Sequence, residues 1–171
     1  DAREPARMVP LGRKCRSVNR PSLPDIVIGG APRSGTTFLC EVLSKHPQVH
    51  VAAPFTPEPK VCMTAHPDGD PGIVGRYRRL FAGAPTDAVR IEKTSYYLEN
   101  EEARERLVRL LPHARFVFIL REPVARAYSN WKWSTRNGIE TLPFAEAVRL
   151  EGTRPSPLPA ERSYARPFDY M

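Results

Sequence analysis

Short apolar runs and helix-spaced stretches alternate along the middle of the chain. DIVIGG at 25–30 is apolar, rich in β-branched residues and ended by glycines, which predicts a buried strand. Three further runs predict strands: VHVA at 49–52, VRIEK at 89–93 and RFVFILR at 115–121. The last of these is the clearest strand in the chain.

Amphipathic stretches fill the intervals between these runs. Apolar residues with helical spacing predict helices at 38–46, 72–83, 99–111 and 123–138. Strands that alternate with helices form right-handed βαβ units. The pattern therefore predicts an α/β fold in which helices flank a parallel, doubly wound sheet.

Three segments show neither pattern. Residues 1–24 carry five arginines and four prolines, 53–72 form a long proline-rich loop, and 142–171 have loop composition. The length of 171 residues with 41% hydrophobic content fits one domain. We therefore predict a basic N-terminal tail or strap at 1–24 and a single domain at 25–171.

The charge balance indicates an anionic ligand. The formal net charge is +7, and arginine supplies 21 of the 26 basic residues. Its planar guanidinium suits phosphate and carboxylate groups. Cys15, Cys40 and Cys62 form no CxxC pair, which argues against a zinc ribbon or a disulfide scaffold. No apolar run is long enough to span a bilayer or act as a signal peptide, so we predict a cytoplasmic protein without stable membrane insertion.

The segment GGAPRSGTT at 29–37 lies between a predicted strand and a predicted helix. Gly30 and Gly35 have the GxxxxG spacing of a Walker A loop, but Thr36 stands where that motif has lysine. This difference favours a site for one phosphate-like group, with Arg33 supplying the cation, over a magnesium triphosphate site. The alternative is an ordinary helix start capped by a hydroxyl of the loop.

A second cluster of anion-binding residues follows the last predicted strand. Arg121 lies at the carboxyl end of that strand, and Ser129 follows eight residues later. The alternative is an arginine paired with Glu122 beside tryptophans, Trp131 and Trp133, that belong to the core. Two phosphate sites separated by one nucleoside would imply a ligand phosphorylated at both ends.

These motifs together resemble those of sulfotransferases that use 3′-phosphoadenosine 5′-phosphosulfate (PAPS). PRSGTTFL at 32–39 is similar to their 5′-phosphosulfate loop, and LREPVARAYSNW at 120–131 is similar to their 3′-phosphate motif. TPEPKVCM at 56–63 and IEKTSYY at 91–97 resemble acceptor-side segments of the heparan-sulfate-type and related bacterial members. The resemblance covers about 25–150.

The resemblance implies a fold and an activity. The fold would be a P-loop-NTPase-like parallel sheet in a three-layer α/β/α arrangement. The enzyme would move sulfonate from PAPS to a hydroxyl, or as a second choice an amine, of a carbohydrate, glycolipid or natural product. PAP would be the other product, and no metal would be required.

The resemblance also implies roles for the two anion-binding motifs. Arg33 would bind the 5′-phosphate and stabilise charge on the leaving group. Arg121 and Ser129 would hold the 3′-phosphate. Donors to the 5′-phosphate and the sulfonate are implied at four successive loop positions: Ser34, Gly35, Thr36 and Thr37.

A carboxylate and a lysine complete the implied site. Glu58 matches the catalytic base of the heparan-type branch, and Lys93 matches a lysine near the reacting centre. Ser95 stands where the family pattern usually has proline. From the residues alone, other groups compete with Glu58 for the role of base: Glu92, Asp70, Asp68 and, more distantly, His66.

Two other functions fit parts of the pattern. A P-loop-type kinase would share the fold but require magnesium and ATP, against which Thr36 argues. A non-catalytic nucleic-acid-binding module would use the basic charge together with Trp131 and Trp133. We rank both below the sulfotransferase and predict no nucleic-acid partner.

The C-terminal part of the family pattern is missing from the sequence. Family members usually continue well beyond the point that matches Met171, so we predict that the domain is C-terminally incomplete here and that these residues alone bind the donor weakly. Arginine-, alanine- and proline-rich usage suggests a bacterial source. The oligomeric state is not predicted.

Overall fold

A computed structural model of the protein describes residues 22–154. Most of the predicted tail and the last part of the predicted domain lie outside this range, so the domain limits stay predictions. The elements in chain order are β1 (Ile26–Gly30), α1 (Thr36–Leu43), β2 (Val49–Val51), α2 (Gly69–Leu80), β3 (Val89–Lys93), a 3₁₀ helix (Ser95–Glu99), α3 (Glu101–Leu110), β4 (Arg115–Phe118), α4 (Pro123–Arg136) and α5 (Phe144–Arg149).

The four strands form one parallel sheet in the order β2-β3-β1-β4. In its register, Ile26 of β1 lies opposite Ile91 of β3 on one side and Arg115 of β4 on the other. β1 lies between β3 and β4, and all three strands are parallel. The loops that follow β1, β3 and β4 therefore meet at one edge of the sheet, the edge formed by the carboxyl ends of the strands. Ligands of open α/β sheets bind in the crevice at such a point.

Apolar side chains cover both faces of the sheet, because neighbouring residues of a strand point to opposite faces. On one face Val27 belongs to a cluster with Tyr77 of α2 and Leu107 of α3. On the other face Ile28 packs with Cys40 of α1. The result is a helix–sheet–helix sandwich, and it confirms the predicted three-layer α/β/α fold.

Most element limits differ from the predictions by one to three residues. α1 begins at Thr36, two residues early, and α2 begins at Gly69, three residues early. β4 ends at Phe118, although backbone hydrogen bonds between β1 and β4 continue to Ile119. The 3₁₀ helix after β3 was not predicted, since a single tight turn has no hydrophobic period to detect.

The prediction of loop structure throughout 142–171 is wrong at its start. α5 forms there, and Ala147 packs against Ala127 of α4 with Phe144 and Trp131 around them. Six residues are too few to show helical periodicity, so contacts with α4 decide the conformation. No helix within residues 22–154 has the length and apolar composition needed to cross a membrane.

Candidate functional site

The loop after β1 turns sharply into α1. Its φ angles are 147° at Gly30, 65° at Arg33 and 96° at Gly35, which is the left-handed range that favours glycine at the first and last of these positions. No side chain of residues 22–154 caps the start of α1. The Ser34 hydroxyl is buried without a partner among the described residues. The alternative of a hydroxyl-capped helix start is therefore wrong, and the unpaired amides and hydroxyl suit an anion.

Lys93 joins this loop to the predicted base. Its ammonium lies 3.0 Å from Glu58 Oε1 and donates to Thr37 Oγ1 at 2.9 Å. A third hydrogen bond, at 3.2 Å, goes to the carbonyl of Phe55. The Lys93 side chain is only 3% exposed, so its charge is held by these three oxygens rather than by water.

Ser95 supplies two further donors to Glu58. The Ser95 hydroxyl donates to Oε1 at 2.6 Å, and the Ser95 amide donates to Oε2 at 3.1 Å. The Glu58 side chain is 12% exposed. Both oxygens of the carboxylate are thus held in one orientation at the mouth of the phosphate loop.

A second carboxylate lies directly behind this cluster. Glu92 is fully buried and accepts hydrogen bonds from Thr94 Oγ1 at 2.5 Å, Tyr97 OH at 3.2 Å and Tyr77 OH at 3.4 Å. The pKa of Glu92 is raised to about 7, mainly by burial and also by the negative charge of Glu58, while the three hydroxyls act in the opposite direction.

Two of these hydroxyls also fasten the loop that carries Glu58. Thr94 Oγ1 accepts from the amide of Lys60 at 3.0 Å. Tyr97 OH accepts from the amide of Cys62 at 3.1 Å. The buried carboxylate, through two hydroxyls, therefore orients a loop more than thirty residues away in the chain.

The two predicted phosphate-binding arginines meet at the same edge. Arg121 Nη1 donates to the carbonyl oxygen of Arg33 at 3.2 Å. Loss of solvent around Arg33 lowers its pKa below the ordinary value, and the positive charge of Arg121 lowers it further, while Tyr96 opposes both. Arg121 thus supports the left-handed backbone that presents Arg33.

The alternative pairing of Arg121 with Glu122 is not observed. Glu122 instead caps α4 by accepting from the amides of Val124 and Ala125, and these backbone hydrogen bonds lower the pKa of Glu122. Ser129 lies half-buried in α4. The prediction that it binds the 3′-phosphate with Arg121 stays a prediction.

Trp131 packs against aromatic side chains where α4 meets α5. Trp131 stacks on Tyr128 at 5.4 Å between ring centroids, packs near Phe144, and donates from Nε1 to the carbonyl of Leu142. Trp131 therefore joins α4 to α5, which agrees with the alternative in which this tryptophan belongs to the core.

The other candidates for the base lie away from this cluster or are sealed off. Asp70 receives two hydrogen bonds of 2.7 Å from Arg109, and this pairing lowers the pKa of Asp70. Asp68 and His66 lie next to each other before α2. Glu92 is near the site but fully buried, so an acceptor cannot reach it.

The structure thus brings together several residues that the sequence identified only one by one. Lys93 is in direct contact with both Thr37 and Glu58. Ser95 appeared in the sequence only as a departure from a motif, and nothing in its spacing indicated its contact with Glu58. The hydroxyls around Glu92 were missed because their pairing depends on tertiary packing. Within residues 22–154 no three His, Cys, Asp or Glu side chains form a group that could hold a metal ion.

Comparison with known proteins finds similarity to sulfotransferases. A model described as "Sulfotransferase family" matches residues 24–88, the segment with the phosphate loop and Glu58. In overall fold the chain is similar to a sulfotransferase from Alicyclobacillus acidocaldarius, with a TM-score of 0.67 and 28% identity over 86% of this chain and 62% of that one. The chain is thus similar to sulfotransferases both in sequence and in fold.

Two of the curated relatives are enzymes whose names concern heparan sulfate. The bifunctional heparan sulfate N-deacetylase/N-sulfotransferase 1 of Caenorhabditis elegans is 33% identical over 109 residues, which are 63% of this chain and 12% of that protein. The human heparan sulfate glucosamine 3-O-sulfotransferase 6 is 29% identical over 112 residues, 66% of this chain and 31% of that protein. The chain therefore spans less than a third of the length of either relative.

Proposed function

We propose that this protein transfers a sulfonate group from PAPS to a hydroxyl group of a carbohydrate, glycolipid or natural product, with an amine as the second choice. The observation that carries the proposal is the bridge made by Lys93 between Thr37 of the phosphate loop and the carboxylate of Glu58. It puts a cation, an anion-binding loop and a proton acceptor within one hydrogen-bonded group.

The phosphate loop would hold the 5′ end of the donor. Arg33, the amides at the start of α1 and the free Ser34 hydroxyl form a set of donors that fits a phosphosulfate. The donor supplies an activated sulfonate whose leaving group is a phosphate. The space at Gly35 is open, because a Cβ atom there would meet no atom of residues 22–154 within 4 Å, and its φ of 96° favours glycine.

Lys93 and Glu58 would act on the two sides of the transferring group. Sulfuryl transfer is similar to phosphoryl transfer, in which positioning and charge stabilisation supply most of the rate. Lys93 stabilises negative charge near Thr37, and Glu58 takes the proton of the acceptor hydroxyl as the new oxygen–sulfur bond forms and the bond from sulfur to the phosphate oxygen breaks. The electron pair of the broken bond leaves with PAP.

Two further parts of the proposal are the residues that bind the 3′ end of the donor and the chemical class of the acceptor. Arg121 and Ser129 are proposed to hold the 3′-phosphate. The printed names of the curated relatives concern heparan sulfate, so a glycan is the first acceptor class to test. Acceptors that are small natural products come second.

The test uses the intact protein that contains this chain. Binding of PAP is measured by calorimetry, and transfer is measured with sulfur-labelled PAPS and a panel of glycans and small alcohols. We expect Arg33→Ala to weaken PAP binding. Glu58→Gln should leave PAP affinity within about twofold of the wild type but lower kcat about 10²–10⁴-fold, the usual contribution of a general base.

The controls separate this proposal from its alternatives. Addition of EDTA should leave transfer unchanged, whereas a P-loop kinase would lose activity and would use ATP. Failure of the wild-type protein to bind PAP and to transfer sulfonate would refute the proposal. Equal activity of Glu58→Gln and the wild type would refute the role of Glu58 alone.

A further inference from the structure

The donors around Glu58 are distributed unevenly between its two oxygens. Oε1 receives the Ser95 hydroxyl at 2.6 Å and the Lys93 ammonium at 3.0 Å. Among residues 22–154, Oε2 receives only the Ser95 amide, at 3.1 Å. Each carboxylate oxygen can accept about two hydrogen bonds. Oε1 is therefore saturated, and Oε2 keeps one lone pair for an incoming proton.

We propose that Ser95 is the positioning residue for the base: its hydroxyl and its amide fix the carboxylate of Glu58 so that Oε2 faces the acceptor and takes the proton. This inference rests on the proposed function and adds a residue to the same site. In the step itself the acceptor O–H proton moves to Oε2 as the oxygen–sulfur bond forms, and Ser95 keeps both of its protons.

Local structure explains why the Ser95 amide is available. Ser95 is the first residue of the 3₁₀ helix, and the amides of a first helical turn have no acceptor within the helix. Thr94 before it is extended, with φ of −142° and ψ of 104°. Ser95 is buried, so its amide bonds to Glu58 rather than to water. The carboxylate in turn satisfies an amide that would otherwise be unpaired.

The surrounding charges hold this arrangement in place. Lys93 from β3 faces Glu58 on one side, and the fully buried Glu92 lies behind it. Thr94, two residues after Glu92, donates to Glu92 and accepts from the amide of Lys60. The strand and the loop are thus tied together on both sides of Ser95.

Proline is an informative substitution at this position. It lacks both the hydroxyl and the N–H, so Ser95→Pro removes both donors to Glu58 at once. The backbone is compatible with proline, because the first position of a helical turn tolerates it and the extended Thr94 suits the residue before it. Ser95→Ala is the matched variant, since it removes the hydroxyl and keeps the amide.

The experiment measures pH profiles of kcat for wild type, Ser95→Ala and Ser95→Pro in the intact protein. We expect kcat to fall about tenfold in Ser95→Ala and about 100-fold in Ser95→Pro, one factor of ten for each hydrogen bond to a charged group. The KM for PAPS should stay within about twofold, because the donor site keeps all its residues. The acid limb of the profile should move to higher pH in both variants, since loss of donors favours the protonated carboxyl.

The outcomes distinguish this inference from the function on which it rests. If the wild type transfers sulfonate and Glu58→Gln does not, but both Ser95 variants match the wild type in kcat and acid limb, the inference is overturned and the function stands. A wild type without transfer or PAP binding overturns both. If Ser95→Pro fails to fold, Ser95→Ala decides: a purely structural role would lower its melting temperature without moving the acid limb.

Discussion

Lys93 shows how one side chain can serve both stability and chemistry. A lysine with 3% exposure would be costly without partners, and here Glu58, Thr37 and the Phe55 carbonyl satisfy its three donors. Removal of one member of a buried ion pair leaves the other as an unpaired charge. The same contacts that hold the loop together therefore orient the groups that we propose to react.

Replacement of this lysine should affect both properties. We expect Lys93→Met to lower kcat about 10²–10³-fold, the usual effect of losing one donor that stabilises transition-state charge. It should also lower the free energy of unfolding by about 3 kcal/mol, because Glu58 is left without its cation. Urea unfolding and steady-state kinetics measure the two effects. Lys45→Met, at an exposed lysine, is the control, and a Lys93→Met enzyme with wild-type kcat would contradict the assigned role.

The segment from β3 through the 3₁₀ helix is organised around a buried carboxyl. Glu92 accepts from Thr94, Tyr97 and Tyr77, and two of these hydroxyls hold the Glu58 loop. Burial is the main reason that its pKa rises from 4.5 to about 7. Between these two pH values the folded protein keeps a proton that the unfolded chain has released.

This raised pKa predicts how stability depends on pH. The unfolded state binds fewer protons than the folded state between pH 4.5 and about 7, so the contribution of Glu92 to stability falls as pH rises through this window. The free energy of unfolding of Glu92→Gln should therefore increase relative to that of the wild type as pH rises through this window. The increase should reach at most about 3 kcal/mol above pH 7. Urea unfolding at several pH values measures the difference. Glu105→Gln on the exposed face of α3 is the control, and a difference independent of pH would contradict the prediction.

The sequence predicts these elements better than it predicts their contacts. Glycine spacing places the phosphate loop, and hydrophobic periods place β1, β3 and the long helices, because those signals are local. The contact of Ser95 with Glu58 joins residues 37 apart, and it depends on how the proline-rich loop lies against the end of β3. No local pattern encodes that arrangement. α5 was missed for a related reason, since its packing on α4 is a tertiary effect.

The whole sheet explains why residues so distant in sequence share one site. β1 lies between β3 and β4, so the loops after all three strands reach the same edge. Arg121 donates to the Arg33 carbonyl across 88 residues of chain. A ligand with phosphates at both ends of a nucleoside would contact both loops, and its affinity would report on the arrangement of the whole molecule.

We therefore expect Arg121 to have two separable effects on binding. As a ligand of the 3′-phosphate, its loss in Arg121→Ala should weaken PAP about 10–100-fold, the contribution of one or two charge-assisted hydrogen bonds. As a support for the Arg33 backbone, its loss should weaken adenosine 5′-phosphate as well, but less than about threefold, because that bond goes to a neutral carbonyl. Calorimetry with both nucleotides separates the two effects, and Arg136→Ala, at an exposed arginine in the last turn of α4, is the control. Equal losses for the two nucleotides would show that Arg121 acts through the loop alone.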